Sequence, residues 1–211
     1  IAVTPLTNET GDSTLAGWGR LAGDWVTQGL HEAGLLTVVP WPSILLAAEQ
    51  HAKSGAADLA ATVREETGAA VVVSGSYYRT GDSLRFQVSI TDMRSGQLVA
   101  AIPPVIVARD SAASAVRELR DRVMGALAVA LDERVPSEVD LAAHPPTWEA
   151  YRAFDRGMAE FNRYAYADAE ASLLEAWSLD STFVPALLYA TFAAVNDGNG
   201  ARGDSLLGLV Q

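Results

Sequence analysis

Residues 69–108 read AAVVVSGSYYRTGDSLRFQVSITDMRSGQLVAAIPPVIVA, and the periodicity of this stretch decides the fold. Leu84, Phe86, Val88 and Ile90 alternate with polar residues, the period-two pattern of a strand with one buried face. The turn TGDS leads into it, and a second turn, RSGQ, leads out to LVAAIPPVIVA. With the β-branched run AAVVVSGSYYRTG in front, this predicts three successive strands joined by tight turns. Pro103 and Pro104 cannot donate ladder hydrogen bonds, so the last strand is expected to be kinked or to lie at a sheet edge.

Upstream, IAVTPL is a short β-branched run closed by a proline and the polar loop TNETGD, and reads as a buried strand. Leu15, Trp18, Ala22, Trp25, Val26, Leu30 and Ala33 then recur at helical spacing, with Asp12 or Ser13 placed to cap the start and Gly34 the end. LLTVVP (35–40) is expected to be a second strand. Pro42 suits the first turn of a helix through SILLAAEQHA, and DLAATVREETG a further one. A long helix is expected from Ser111 to Leu131. The expected fold is an α/β mixed-sheet domain of order β-α-β-α-α-β-β-β-α over residues 1–135.

VPSEVDLAAHPPT holds three prolines and sets a linker at 136–147. Beyond it, residues 149–191 read EAYRAFDRGMAEFNRYAYADAEASLLEAWSLDSTFVPALLYAT. Small Gly157 and Ala169 allow two antiparallel helices to approach closely, with Phe154, Phe161, Leu173 and Ala176 filling the seam. Residues 148–211 are thus expected to form an all-α helical hairpin region: one complete pair and a second, interrupted by NDGNGARGD. Such pairs need neighbours to stack on. Further repeats are therefore expected beyond Gln211, and the opening Ile1, inside a strand, suggests a piece of a longer protein.

Two resemblances follow from these residues. The 149–191 stretch resembles a tetratricopeptide repeat, with Ser181 where a proline usually follows Leu-Asp, and with Arg156 and Glu160 at positions usually apolar. IAVTPLTNETGD, DWVTQGLHEAGLLTVVP and VREETGAAVVVSGSYYRTGDSLRFQVSITDMRSGQLV resemble the amino-terminal domain of TolB and its relatives in the CsgG and FlgO group. The most specific part is the strand with Gly75, the Gly-Asp hairpin and Asp92 before a second Gly turn. Such domains followed by tetratricopeptide repeats form the carboxy-terminal regions of bacterial transmembrane serine/threonine kinases, and occur in CadC-like regulators and adenylate cyclases. The resemblance implies a non-catalytic sensory or scaffolding region. Through the kinase analogy it implies the extracytoplasmic part of a single-pass membrane protein; the regulator and cyclase versions need not share that location, and a cytoplasmic region is the alternative.

Composition narrows the functional classes. The formal net charge is −11, and no cluster of Lys or Arg interleaved with aromatics occurs. A phosphate backbone would be repelled, which argues against nucleic acid as a partner. Apolar runs such as ALAVAL fall far short of the roughly 20 residues a bilayer span needs, so direct membrane insertion is not expected. The absence of cysteine excludes disulfides and thiol catalysis. His31, His51 and His144 are scattered, so neither a metal nor a cofactor is expected. GWGRLAG lies within a helix and lacks the Lys-Ser/Thr tail of a phosphate loop, and close packing explains its glycines better. VSGSYY fails the nucleophile-elbow pattern because position 72 is Val. Glu65-Glu66, Asp132-Glu133 and Glu118 with Asp121 sit beside arginines on expected helices and read as solvated, salt-bridged faces.

Two candidate sites remain. Thr7, Asn8, Thr10, Gly11 and Asp12 join a strand end to a helix start, where α/β folds gather ligands; helix capping by Asp12 is the plainer reading of the same loop. On the helical region, Tyr151, Phe154, Phe161 and Tyr164 are candidates for gripping a protein or peptide partner, although most rings there must serve the repeat core. The chain is thus expected to be a non-enzymatic, protein-interacting sensory region of a bacterial signalling protein. A small-molecule or envelope-ligand sensor using the first loop and a TolB-like assembly subunit stand as alternatives.

Overall fold

The computed structural model describes residues 1–135 and 144–209. The chain divides into two compact units, Ile1–Met124 and Gly125–Gln211. The first is a mixed α/β unit and the second is helical. Of the linker expected at 136–147, residues 136–143 lie outside the described residues.

The first unit is built on a five-stranded mixed sheet. β3 (Val71–Thr80), β4 (Ser83–Asp92) and β5 (Gln97–Ala108) form the antiparallel meander expected from the alternation, with Tyr77 opposite Phe86 and Val73 opposite Ile90. β1 (Ala2–Val3) and β2 (Thr7–Asn8) both pair with β3 in parallel. They form one edge strand with a bulge at Pro5. Val3 pairs with Val73 and Thr7 with Ser76, so four residue steps on one strand match three on the other. At the opposite edge β5 is bulged at its prolines. Phe86 pairs with Val105 and Val88 with Ile102, which leaves Pro103 and Pro104 together opposite Gln87. Two residues without N–H groups are tolerated there because, among the described residues, no further strand lies beyond this edge.

Helices cover both faces. α1 (Gly17–Ala33) ends at Gly34 in the left-handed conformation, φ 66°. α2 (Trp41–Ser54) carries Pro42 in its first turn, and α3 (Leu59–Thr67) is capped by Asp58. α2 and α3 meet one face of the sheet through a buried cluster of Ile44, Ala47, Val63, Ala2 and Val72. On the other face Leu84, Phe86, Val88, Ile90, Ala100, Ile102 and Val105 are all buried. The Tyr77 ring stacks on Phe86 at 5.3 Å, and its hydroxyl donates to the Leu15 carbonyl at 2.7 Å. α4 (Ala112–Leu131) runs beside α1 where Gly29 faces Arg120 and Met124, and the division between the units falls within this helix.

The strand expected at 35–40 is not formed; the observed order is β-β-α-α-α-β-β-β-α, with Thr7–Asn8 as the second strand. The segment is extended, yet among the described residues only Ile1 pairs with it. The Ile1 amino group donates to the Thr37 carbonyl and the Val39 N–H to the Ile1 carbonyl, both at 2.8 Å. This is the pattern of one parallel bridge, between Ile1 and Val38. Pro40 then lacks an N–H to continue it, and the chain turns into α2.

Two of the three glycines of GWGRLAG, Gly19 and Gly23, are explained by close approach. Leu6 N–H donates to the Gly19 carbonyl at 3.1 Å, and a Cβ on Gly19 would stand 2.0 Å from the Leu6 carbonyl oxygen. Gly17, two residues earlier, has open space around its Cα. Gly19→Ala is therefore expected to cost about 2 kcal/mol or more in urea unfolding, from backbone displacement. Gly17→Ala should be neutral or stabilise by up to about 1 kcal/mol.

Candidate functional site

The helical unit repeats one packing device. α5 (Trp148–Asn162) starts at Thr147, whose hydroxyl accepts from the Ala150 N–H, and lies against α6 (Tyr166–Leu179). A Cβ on Gly157 would come 2.6 Å from Leu173 Cγ, so glycine sets the distance between the two helices. Phe154, Ala169, Leu173 and Ala176 are fully buried in the seam. α7 (Val184–Asn196) and α8 (Gly200–Leu207) make the second pair, and a Cβ on Gly203 would meet Val195 Cγ2 at 2.5 Å. The interruption expected over NDGNGARGD is confined to its first residues. Gly198 turns at φ 85°, Asn199 accepts from the Arg202 N–H, and the helix has resumed by Gly200. Arg156 does not enter the seam. Its Nε donates to Ser172 Oγ at 3.1 Å, and its guanidinium pairs with Glu175 on α6. Glu160 has one carboxylate oxygen, Oε2, buried without a hydrogen-bond partner.

Aromatic rings run through this unit as a continuous ladder. Trp148 stacks on Tyr151 at 5.8 Å, and Tyr151 contacts Phe154 at 6.3 Å. Phe154 meets Phe183 at 5.0 Å and Tyr189 at 5.9 Å. From Tyr189 the ladder continues edge-on to Phe192 at 5.9 Å and to Phe161 at 6.2 Å. Phe161 then meets Tyr166 at 5.4 Å, and Tyr166 meets Tyr164 at 6.1 Å. Burial falls off along it: Phe154 is 0% exposed, Phe192 51% and Tyr164 78%. The four rings singled out from the sequence are thus divided. Phe154 and Tyr151 are buried and present no surface, Phe161 is half-buried, and Tyr164 stands in solvent. Tyr189 and Phe192 were missed, although their i, i+3 spacing on an apolar helix was a usable signal.

Tyr164 carries a second peculiarity. Its φ is +62°, the only positive value at a non-glycine residue among those described. That conformation costs an L-residue about 1–2 kcal/mol and is normally left to Gly or Asn. Here it is held by an exposed tyrosine in the turn between α5 and α6.

A buried polar network lies behind the ladder. Asp132 and Arg134, just past the end of α4, were expected on a solvated helical face; the Asp132 side chain is instead 5% exposed. The Tyr151 hydroxyl donates to Asp132 Oδ2 at 3.0 Å, and Arg134 donates to both Asp132 oxygens at 2.8 Å while pairing with Asp155. The Tyr189 hydroxyl donates to the Arg134 carbonyl at 3.0 Å. Burial alone would raise Asp132, but the hydrogen bonds from Arg134 and Tyr151 outweigh it and hold the carboxyl below the ordinary range. Burial, followed by the Asp132 charge and hydrogen bond, pushes Tyr151 up to about 12.

The first loop is turned inward on itself. Asn8 Oδ1 accepts from the Thr10 N–H and hydroxyl at 3.0 and 2.6 Å, and Asn8 Nδ2 donates to the Asp12 carbonyl at 2.9 Å. Thr10 Oγ1 accepts from the Asp12 N–H at 3.1 Å, and Gly11 turns at φ 74°. Asp12 Oδ1 accepts from the Thr14 N–H and hydroxyl, and Oδ2 pairs with Arg109 at 2.7 Å. The hydrogen bonds from Thr14 lower the Asp12 carboxyl, with a smaller part from Arg109. Asn8, Thr10 and Asp12 thus spend their polar atoms on the loop, the helix start and Arg109, while Thr7 pairs with Ser76 in the sheet. Of the histidines, His31 lies in the last turn of α1, and His51 Nδ1 contacts Thr62 Oγ1 at 3.1 Å.

No family model matches the chain, and no curated protein matches it. Among solved structures it is similar to the C-terminal domain of LpoB from Salmonella enterica, at 18% identity over 51% of this chain and 81% of that one, with a TM-score of 0.36.

The network gives a signed pH dependence. A carboxyl lowered in the folded state contributes stability that is complete above its ordinary value of about 3.9 and is lost as pH falls through the lower folded value. A tyrosine raised on folding contributes below its ordinary value of about 10, and that contribution is lost as pH rises toward 12. Denaturant unfolding should show the helical unit weakening at both extremes, with a shallower acid limb in Asp132→Asn. At neutral pH that variant should lose about 1–3 kcal/mol.

Proposed function

We infer that the chain is a non-catalytic protein-interaction region whose helical unit holds a peptide, in the manner of a tetratricopeptide repeat, against the outer rungs of the aromatic ladder. Phe161, Tyr164, Tyr189 and Phe192 are the residues that would make contact. The observation that carries this reading is Tyr164: a large ring kept in solvent and in a strained backbone conformation. Folding alone would favour glycine there, and strain retained at an exposed position points to use. Exposed aromatics continuous with a rigid buried core also suit recognition, since their rotamers are fixed in advance and little entropy is lost on binding.

The partner's chemistry follows from charge and surface. Residues after His144 include nine acidic and four basic side chains, so an apolar or aromatic segment with net positive charge is the best complement. The resemblance of the first unit to TolB-like domains extends the proposal to a sensory or docking region of a bacterial signalling protein, a serine/threonine kinase or a transcriptional regulator. Binding would act by favouring one arrangement of that larger protein over another, through the difference in binding free energy between the two.

Peptides selected from a random display library on the intact chain test this directly. Selected peptides should bind Tyr164→Gly and Phe192→Ala at least about tenfold more weakly. The thermal stability of Tyr164→Gly should be unchanged or higher, because relief of the left-handed conformation offsets the lost Tyr166 contact. Undiminished binding to both variants would sink the proposal.

A further inference from the structure

The α/β unit contains a cleft unrelated to the ladder. It lies between α1 and residues 38–41, the end of the extended segment and the first residue of α2, and encloses about 290 Å³. One wall is a helix face on which Asp24, Gln28 and His31 stand at i, i+4 and i+7. The other is apolar, formed by Val38, Val39 and the Trp41 ring. Trp41 is fixed in place before any ligand arrives. It packs on the cluster of Ile44, Ala47 and Val63, and its ring occupies the space left by Gly23, where a Cβ would fall 2.5 Å from Cη2.

The polar lining comprises the Asp24 carboxylate, the Gln28 amide, the His31 imidazole and the Thr27 hydroxyl, which is spent on the Gly23 carbonyl at 2.7 Å. Asp24 takes part in none of the ion pairs among the described residues. The Gln28 amide donates to Glu32 at 2.8 Å, which leaves its carbonyl oxygen as an acceptor and sets a second carboxylate nearby. The single bridge to Ile1 uses the Thr37 carbonyl and the Val39 N–H. By the alternation of an extended chain, the Val38 carbonyl therefore points away from β1 and is open to a donor. Free carboxylate, free carbonyl and an indole face together are the complement of an ammonium group attached to an apolar body. The volume sits at the small end of ligand cavities, about 300–1,000 Å³.

We propose that this cleft is a binding site for a small primary amine carrying a flat apolar group. The ammonium donates to the Asp24 carboxylate and the Val38 carbonyl, and the apolar body lies along Trp41 and Val39. The site stands independently of the peptide-binding reading, because it shares no residue with the ladder.

The test is a titration of the intact chain with phenethylamine, followed by backbone amide NMR, with phenethyl alcohol as the neutral counterpart. Saturable shifts are expected, confined to residues 24–31 and 38–41. Affinity should fall about tenfold or more for the alcohol and for Asp24→Asn, and Gln28→Trp should abolish binding by filling the cleft. Asp24 and Gln28 are exposed on α1, so both variants should keep the wild-type circular dichroism spectrum. Shifts that are linear in concentration or scattered over the chain would overturn the proposal. So would equal affinity for the alcohol, or wild-type affinity in Asp24→Asn.

Discussion

The Phe154 ring is the contact on which the helical unit depends. It is fully buried and meets Tyr151, Phe183 and Tyr189, so one side chain ties α5 to α7 and to the turn before it. Aromatic pairs at these distances add about 0.5–1.5 kcal/mol each beyond the area they bury. The same packing fixes Tyr189, which positions Phe161 and Phe192, and so the outer rungs inherit their orientation from a ring no partner can touch. The hydroxyls of buried Tyr151 and half-buried Tyr189 need partners, and the segment after α4 supplies them through Asp132 and the Arg134 carbonyl. Fold and the proposed recognition thus share one set of side chains, graded by burial from Phe154 outward to Tyr164.

Glycine at close approaches is the second constraint, and it acts alike in both units. Gly19 admits the Leu6 carbonyl, Gly157 admits Leu173, and Gly203 admits Val195. None of these three needs glycine for backbone freedom; each is glycine because a methyl group would collide. This is why the pairs α5–α6 and α7–α8 can be so tightly set with alanine-rich seams.

Much of this was legible in the sequence, for reasons that can be traced to particular residues. The alternation Leu84-Phe86-Val88-Ile90 reports a half-buried strand directly, and two adjacent prolines could only sit where β5 leaves the ladder incomplete. Gly157 and Ala169, twelve residues apart, marked the helical hairpin. What failed to show was set by tertiary context. LLTVVP has strand composition, but a strand needs a neighbour of matching length, and Ile1 offers one bridge. Asp132 and Arg134 look like any surface pair until Tyr151 is placed over them. The left-handed backbone of Tyr164 has no signature in sequence at all, because its residue type argues against it. Within the first loop, both readings rested on the same polar residues. Only their hydrogen bonds show where those side chains point.

In the proposed mode of binding, the outer rungs of the ladder meet a partner and the buried ones do not. A photoreactive phenylalanine analogue placed at position 164 or 192 of the native full-length protein tests it most directly, with exposed Leu46 on α2 as the control position. The same discrete cross-linked protein is expected from 164 and 192 on illumination in cells, and none of it from 46. Absence of that adduct at both ladder positions, or equal adduct from 46, would contradict it.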